Sequence, residues 1–177
     1  MYHCHIRLYL IGRHRGLFQR VKDLPPLAGF HHTFIESDTP EEQLLEKADV
    51  ILADISGAEP QMLRELIVGK RDKAELIVLV DGEQRSLPLD SLSALKDIWV
   101  TPLSEEELYF RFQRLQQEWK WRMDAWQTNQ YLEATINSVP NLIWYKDKNG
   151  IHEKVNDSFC KTVKKTKEQV EGQGHAY

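Results

Sequence analysis

The first hundred residues alternate between two hydrophobic periods. Cys4, Ile6, Leu8 and Leu10 interleave with His3, His5, Arg7 and Tyr9, and a period of two predicts a strand. Gly12 to Gly16 interrupts it. Leu17, Phe18, Val21 and Leu24 then follow helical spacing until Pro25-Pro26 ends the helix. A short strand is predicted over 30–35. Thr39-Pro40-Glu41-Glu42 predicts a helix start, with Thr39 as cap, Pro40 in the first turn and Glu42 completing a capping box. Asp49-Val-Ile-Leu-Ala-Asp54 and Leu76-Ile-Val-Leu-Val80 are short, continuously apolar runs, the pattern of strands covered on both faces. Between them, Met62, Leu63, Leu66 and Ile67 predict the inward face of a helix. A shorter helix around 91–96 precedes the strand Ile98-Trp99-Val100, which Thr101-Pro102 closes. Five strands alternating with helices predict a doubly wound α/β domain over residues 1–103, with a five-stranded parallel sheet and right-handed crossovers.

From Ser104 the period becomes helical and stays so. Ser104 and Glu107 form another capping box, and no glycine or proline interrupts 104–139. The segment 104–137 predicts a single helix about 50 Å long at 1.5 Å per residue. Its first turns, 104–116, are expected to pack on the α/β domain. Phe112, Leu115, Trp119, Met123 and Trp126 advance by three, four, four and three residues, a seam suited to pairing with another helix. Arg122 and Asn129 fall close to that seam and interrupt it. Beyond Trp119 a lone helix would leave Trp119, Trp121 and Trp126 exposed, so a homodimer through Leu115, Trp119, Met123 and Trp126 is expected.

After Ser138-Val139-Pro140 the pattern returns to strands. Leu142-Ile-Trp-Tyr145, Asp147-Lys-Asn-Gly150 and Ile151-His-Glu-Lys-Val155 predict a hairpin in which Asn149-Gly150 suits a type I′ turn. Asn156 or Asp157 can cap a helix bearing Phe159, Cys160 and Val163, and Thr166 with Gln169 marks one more cap. Two strands and two helical turns bury too little surface to stand alone. The segment 138–177 therefore reads as the N-terminal part of an α+β domain, truncated at Tyr177.

Composition narrows the function classes. The 177 residues carry a net charge of −4, are 41% hydrophobic and 28% charged, and so describe a folded chain. No segment concentrates basic residues into a nucleic-acid footprint, and no apolar run is long enough to span a bilayer. The first residues lack the layout of a secretory signal, and two distant cysteines, Cys4 and Cys160, form no disulfide framework. A cytoplasmic location is the expectation. His3-Cys4-His5 and His31-His32 alternate across strand faces and supply no metal quartet. Gly12-x-x-x-Gly16 is no dinucleotide fingerprint, although Arg13, His14 and Arg15 at that loop leave a flavodoxin-like nucleotide binder as an alternative.

The order of elements resembles the receiver domain of two-component response regulators. In that family an aspartate ending the third strand accepts a phosphoryl group, and the resemblance places Asp54 there. The acidic pair that holds Mg²⁺ after the first strand is replaced by Gly12 and Arg13. The lysine before the proline of strand five is replaced by Thr101, ahead of Pro102, and Asp81 stands near the position of the hydroxyl residue ending strand four. A carboxylate attacking a phosphoryl group needs a divalent cation and a cationic side chain for the developing charge. An inactive, receiver-like scaffold that keeps an interaction surface for a protein partner is therefore expected, with no catalytic residue and no metal. A phosphorylatable receiver using Asp54 is the alternative.

The run from Tyr131 to Gly150, with Val155-Asn156, Phe159 and Thr166-Lys-Glu-Gln-Val-Glu-Gly172, resembles the front of a PAS domain. PAS domains sense ligands, light or redox state, or dimerise. The resemblance covers about forty residues and implies no particular cofactor. Receiver-like domain, long helix and PAS segment together resemble the front of bacterial signalling proteins whose output is a GGDEF diguanylate cyclase or a histidine kinase. No Gly-Gly-Asp/Glu-Glu-Phe run and no kinase motif occurs in these residues. The expectation is a regulatory, non-catalytic region coupled to a PAS sensor and to a cyclase output; a PAS histidine kinase is the other option.

Overall fold

A computed structural model describes residues 4–57, 60–82 and 87–174. They form two compact units, Met1–Gln117 and Glu118–Tyr177.

The first unit contains β1 (Cys4–Ile11), α1 (Arg15–Lys22), β2 (Phe30–Ser37), α2 (Glu42–Leu45), β3 (Val50–Asp54), α3 (Pro60–Gly69), β4 (Glu75–Asp81), a 3-10 turn (Leu89–Ala94), β5 (Asp97–Thr101) and the start of α4 (Glu105–Asn137). The strands form one sheet in the order β2-β1-β3-β4-β5, and every neighbouring pair is parallel. This is the flavodoxin-like doubly wound order shared by receiver domains, with its switch point between β1 and β3.

Alternation along β1 divides the core. Tyr9 and Ile11 join Leu45, Ile51, Ala53, Leu63, Leu66, Leu76 and Val78 in one cluster under α2 and α3. Ile6, Leu8 and Leu10 are buried on the other face, as are Leu17 and Phe18 of α1 and Leu108, Phe112 and Leu115 of α4. The edge-on contact of His32 with Phe112, at 5.4 Å between ring centres, seats α4 over β2. Buried Gln116 accepts from the Leu27 N–H at 2.8 Å, and Arg20 donates to the Leu103 carbonyl at 3.1 Å. The amino edge of the sheet is tied by Asp49. Its carboxylate accepts from the Arg7 N–H at 2.8 Å and from Arg7 Nε at 3.1 Å, and it also pairs with Arg71.

Three local expectations change. The helix expected from Thr39 starts later, with Glu41 as its N-cap and no side-chain cap. The Thr39 carbonyl instead accepts hydrogen bonds from the Ser37 and Tyr9 hydroxyls. The helix expected around 91–96 is a 3-10 turn over Leu89–Ala94. The hairpin turn is not type I′, which would need positive φ at both Asn149 and Gly150; only Gly150 has it, at 80°. The Gly150 N–H donates to the Asp147 carbonyl and the Asp147 N–H to the Ile151 carbonyl, which is a three-residue loop with glycine at the bulge. The Asp147 side chain drives this choice, accepting from the N–H groups of Asn149 and Ile151. Those bonds, led by that of Ile151, hold its carboxyl below the usual carboxylate range.

The second unit contains the rest of α4, then β6 (Trp144–Lys146), β7 (His152–Val155), α5 (Asp157–Val163) and α6 (Lys167–Val170). β6 and β7 pair antiparallel. Asn156 is its central polar residue: it is fully buried and uses its whole amide. Its Oδ1 accepts from the Ile143 and Phe159 N–H groups, both at 3.0 Å. Its Nδ2 donates to the carbonyls of Ile136 and Asn141 at 3.0 and 2.8 Å. Asn156 thus caps α5 while clamping the end of α4 and the entry to β6. Glu133 of α4 pairs with Lys154 and Lys167, and these bonds, Lys154 first, hold its carboxyl below the usual range. Thr166 and Gln169 form the expected reciprocal box on α6.

Candidate functional site

In doubly wound sheets ligands bind beyond the carboxyl ends of the strands, at the switch point. Here that place lies between Gly12, which follows β1, and Asp54, which ends β3. The two are in contact. Gly12 has φ 117°, and a Cβ added there would lie 2.7 Å from the Asp54 Cβ and 3.2 Å from its carbonyl oxygen. A backbone of that conformation suits glycine, and the neighbouring strand end fills the volume an acidic side chain would need. The Gly12 N–H is already given to the Ser37 carbonyl at 2.9 Å.

Asp54 is half-buried. One carboxylate oxygen accepts from the Ser56 N–H at 3.0 Å, a local turn that orients the side chain. Arg13, next along the chain, is exposed. The nearby acids at the end of β2 are engaged elsewhere: Arg15 bridges Glu36 and Asp38, each at 2.6 Å, and Lys22 also pairs with Glu36. Those partners, Lys22 foremost, draw the Glu36 carboxyl below its usual range.

On the far side of the edge, Asp81 pairs in register with Thr101. Asp81 is exposed. Thr101 is buried, and its hydroxyl donates to the Val80 carbonyl at 3.2 Å. The Thr101-Pro102 peptide is cis, and Pro102 is exposed. Where the resemblance to receiver domains leads one to expect an ammonium, the chain has a short hydroxyl turned back onto the sheet.

A Mg²⁺ ion of the kind receiver domains use does not fit these residues. Magnesium needs near-octahedral oxygen ligands, usually with one or two carboxylates beyond its waters. At the switch point, among the described residues, Gly12 supplies no side chain, Arg13 brings positive charge, and Asp54 is the one carboxylate. Among the described residues, no cluster of three or more His, Cys, Asp or Glu side chains is arranged to hold a metal. His5 bonds Thr33 at 2.5 Å, and Cys4 is buried; His3 lies outside the described residues. In the Gly12–Gly16 loop the Arg15 N–H is turned onto the Arg13 carbonyl at 2.8 Å.

The residues of the expected helix seam separate. Leu115 is 7% exposed, buried in the first unit, so its surface is spent on its own domain. Trp119 and Met123 are half-buried, with the Arg122 guanidinium 5.1 Å from the Trp119 ring centre. Trp126 remains 59% exposed. Two features escape sequence reasoning: the pairing of Arg15 with Glu36 and Asp38, and the approach of Gly12 to Asp54. A glycine immediately after the first strand was the available signal for the second.

No protein-family model matches the chain, and no curated protein matches it. Among solved structures it is similar to a protein assigned to pilus assembly, CpaE2 of Sinorhizobium meliloti, at 12% identity and TM-score 0.47, covering 62% of this chain and 98% of that one. It is also similar to a pilus assembly-related protein of Burkholderia pseudomallei, at 15% identity and TM-score 0.49, covering 62% and 87%. A third is the ChxR receiver domain of Chlamydia trachomatis, at 17% identity and TM-score 0.45, covering 64% and 97%. The fold assignment rests on the strand order and pairing of this sheet.

Proposed function

We propose that the first domain is a regulatory, non-catalytic receiver-like platform that has lost phosphoryl chemistry and kept a surface for a protein partner. The long helix joins it to the opening of a PAS sensor and lets two copies of the chain pair. The whole serves bacterial signal transduction from the cytoplasm, with a diguanylate cyclase as its output. The PAS part of the reading draws on the resemblance of 131–172. The observation that supports the receiver part is the contact of Gly12 with Asp54, which leaves no room for a side chain at position 12. Phosphoryl transfer to Asp54 would also develop negative charge with Thr101 facing Val80 in place of a cation.

The test is phosphorylation itself. Incubated with Mg²⁺ and acetyl phosphate, the protein should show no phosphoryl adduct by intact mass spectrometry. An adduct that disappears in Asp54→Asn would establish a working receiver and overturn the reading.

A further inference from the structure

Within the second unit, Trp121, Ala125, Thr128, Leu132 and Thr135 are all exposed and follow one another by four, three, four and three residues. That is the a/d spacing of a two-stranded coiled coil. At 3.6 residues per turn the five positions fall in a band roughly 80° wide on one side of α4. Trp121 is 63% exposed and Leu132 40%. Trp119, Met123, Trp126 and Gln130 lie on the opposite side of the helix, and there Trp119 and Met123 are already half-buried.

The line through Thr128 has small residues, Ala125 and Thr128, between its two large ones. Small residues at the middle let two backbones approach, while Trp121 and Leu132 on either side cover the contact. We infer that Trp121, Ala125, Thr128, Leu132 and Thr135 form the seam on which a second copy of this chain docks, in a parallel and in-register pair. The inference rests on the proposed homodimer and fixes which face of the helix it uses. A copy fits better than an unrelated helix because an in-register pair brings each small position opposite itself and each large one opposite itself, the self-complementarity of a two-fold interface. Tyr131 flanks the seam, 65% exposed. With aromatic side chains offering 150–250 Å² each, the face provides on the order of 500 Å² per copy. The pair would then bury about 1,000 Å², the lower limit of a specific interface.

Disulfide crosslinking in the full chain tests the assignment. In a Cys160→Ser background, with buried Cys4 retained, Thr128→Cys should crosslink to itself under mild oxidation and Gln130→Cys should not. Trp121→Glu should weaken the dimer by at least about tenfold in sedimentation, as expected for loss of an aromatic anchor, with the circular dichroism unchanged. Crosslinking at residue 130 and not at 128 overturns the seam and leaves the homodimer reading intact. A dimer that crosslinks at neither overturns the seam and its helical location. A protein that is monomeric at all concentrations overturns both.

Discussion

Asp49→Ala should lower the stability of the first unit by about 3 kcal/mol, at the low end of the cost of breaking a buried ion pair. The carboxylate is 6% exposed and serves three donors at once: the Arg7 N–H, the Arg7 guanidinium and Arg71. Its removal strands a main-chain N–H just before β1 begins to pair with β3 and leaves two cations without their shared anion. Both guanidiniums keep partial access to water, which is why the figure sits low in its range. Asp49→Asn should cost roughly half as much, since the amide oxygen still accepts from the Arg7 N–H and only charge-assisted bonds are lost. Denaturant unfolding followed by a signal from Trp99, fully buried on this sheet, measures both. A loss below about 1 kcal/mol for the alanine variant, the scale of an exposed pair, would show that the cluster is ornamental.

Asn156→Ala should cost the second unit about 3 kcal/mol, because four hydrogen bonds, one buried and three part-buried, lose their buried partner together and each stranded group carries a desolvation penalty. Asn156 ties α5 and the entry to β6 to the end of α4, so without it the hairpin and α5 should exchange their amides freely. Asn156→Asp should be no better. It preserves the acceptor for Ile143 and Phe159, yet sets a buried carboxylate against the carbonyls of Ile136 and Asn141. Hydrogen exchange at the Ile143, Val155 and Phe159 amides reports the effect locally, while the protection of β3 and β4 should not change. Retained protection at Ile143 in both variants would contradict the clamp.

The sheet could be read from the chain because each buried strand announces itself locally. Residues 50–53 and 76–80 are apolar without a break, and Cys4–Ile11 alternates with period two. Caps whose partners sit three residues away, Asn156 with Phe159 and Thr166 with Gln169, were equally visible. What escaped depends on distance. Asp49 gathers Arg7 and Arg71 from other elements, and no local pattern marks that meeting. Asn149-Gly150 favours one turn in isolation, but the side chain of Asp147 selects another. The seam shows the same limit in a helix. Phe112 to Trp126 and Trp121 to Thr135 both have coiled-coil spacing, and it takes the burial of Phe112 and Leu115, with Trp119 and Met123 half-buried, to tell the two lines apart. At the site, Asp54, Gly12 and Thr101 are singled out along the chain only through the resemblance to receiver domains. That the end of β3 at Asp54 closes on position 12 is visible only in the folded sheet.

Divalent-cation binding at the switch point tests the central claim most directly. In a titration with millimolar Mg²⁺ followed by amide chemical shifts, the signals of Gly12, Asp54, Ile55 and Asp81 should stay where they are, in the native chain and in Asp54→Asn alike. A saturable shift confined to those amides in the native chain, and absent from Asp54→Asn, would mean that the edge between β1 and β3 still holds a cation and that the platform has kept its chemistry.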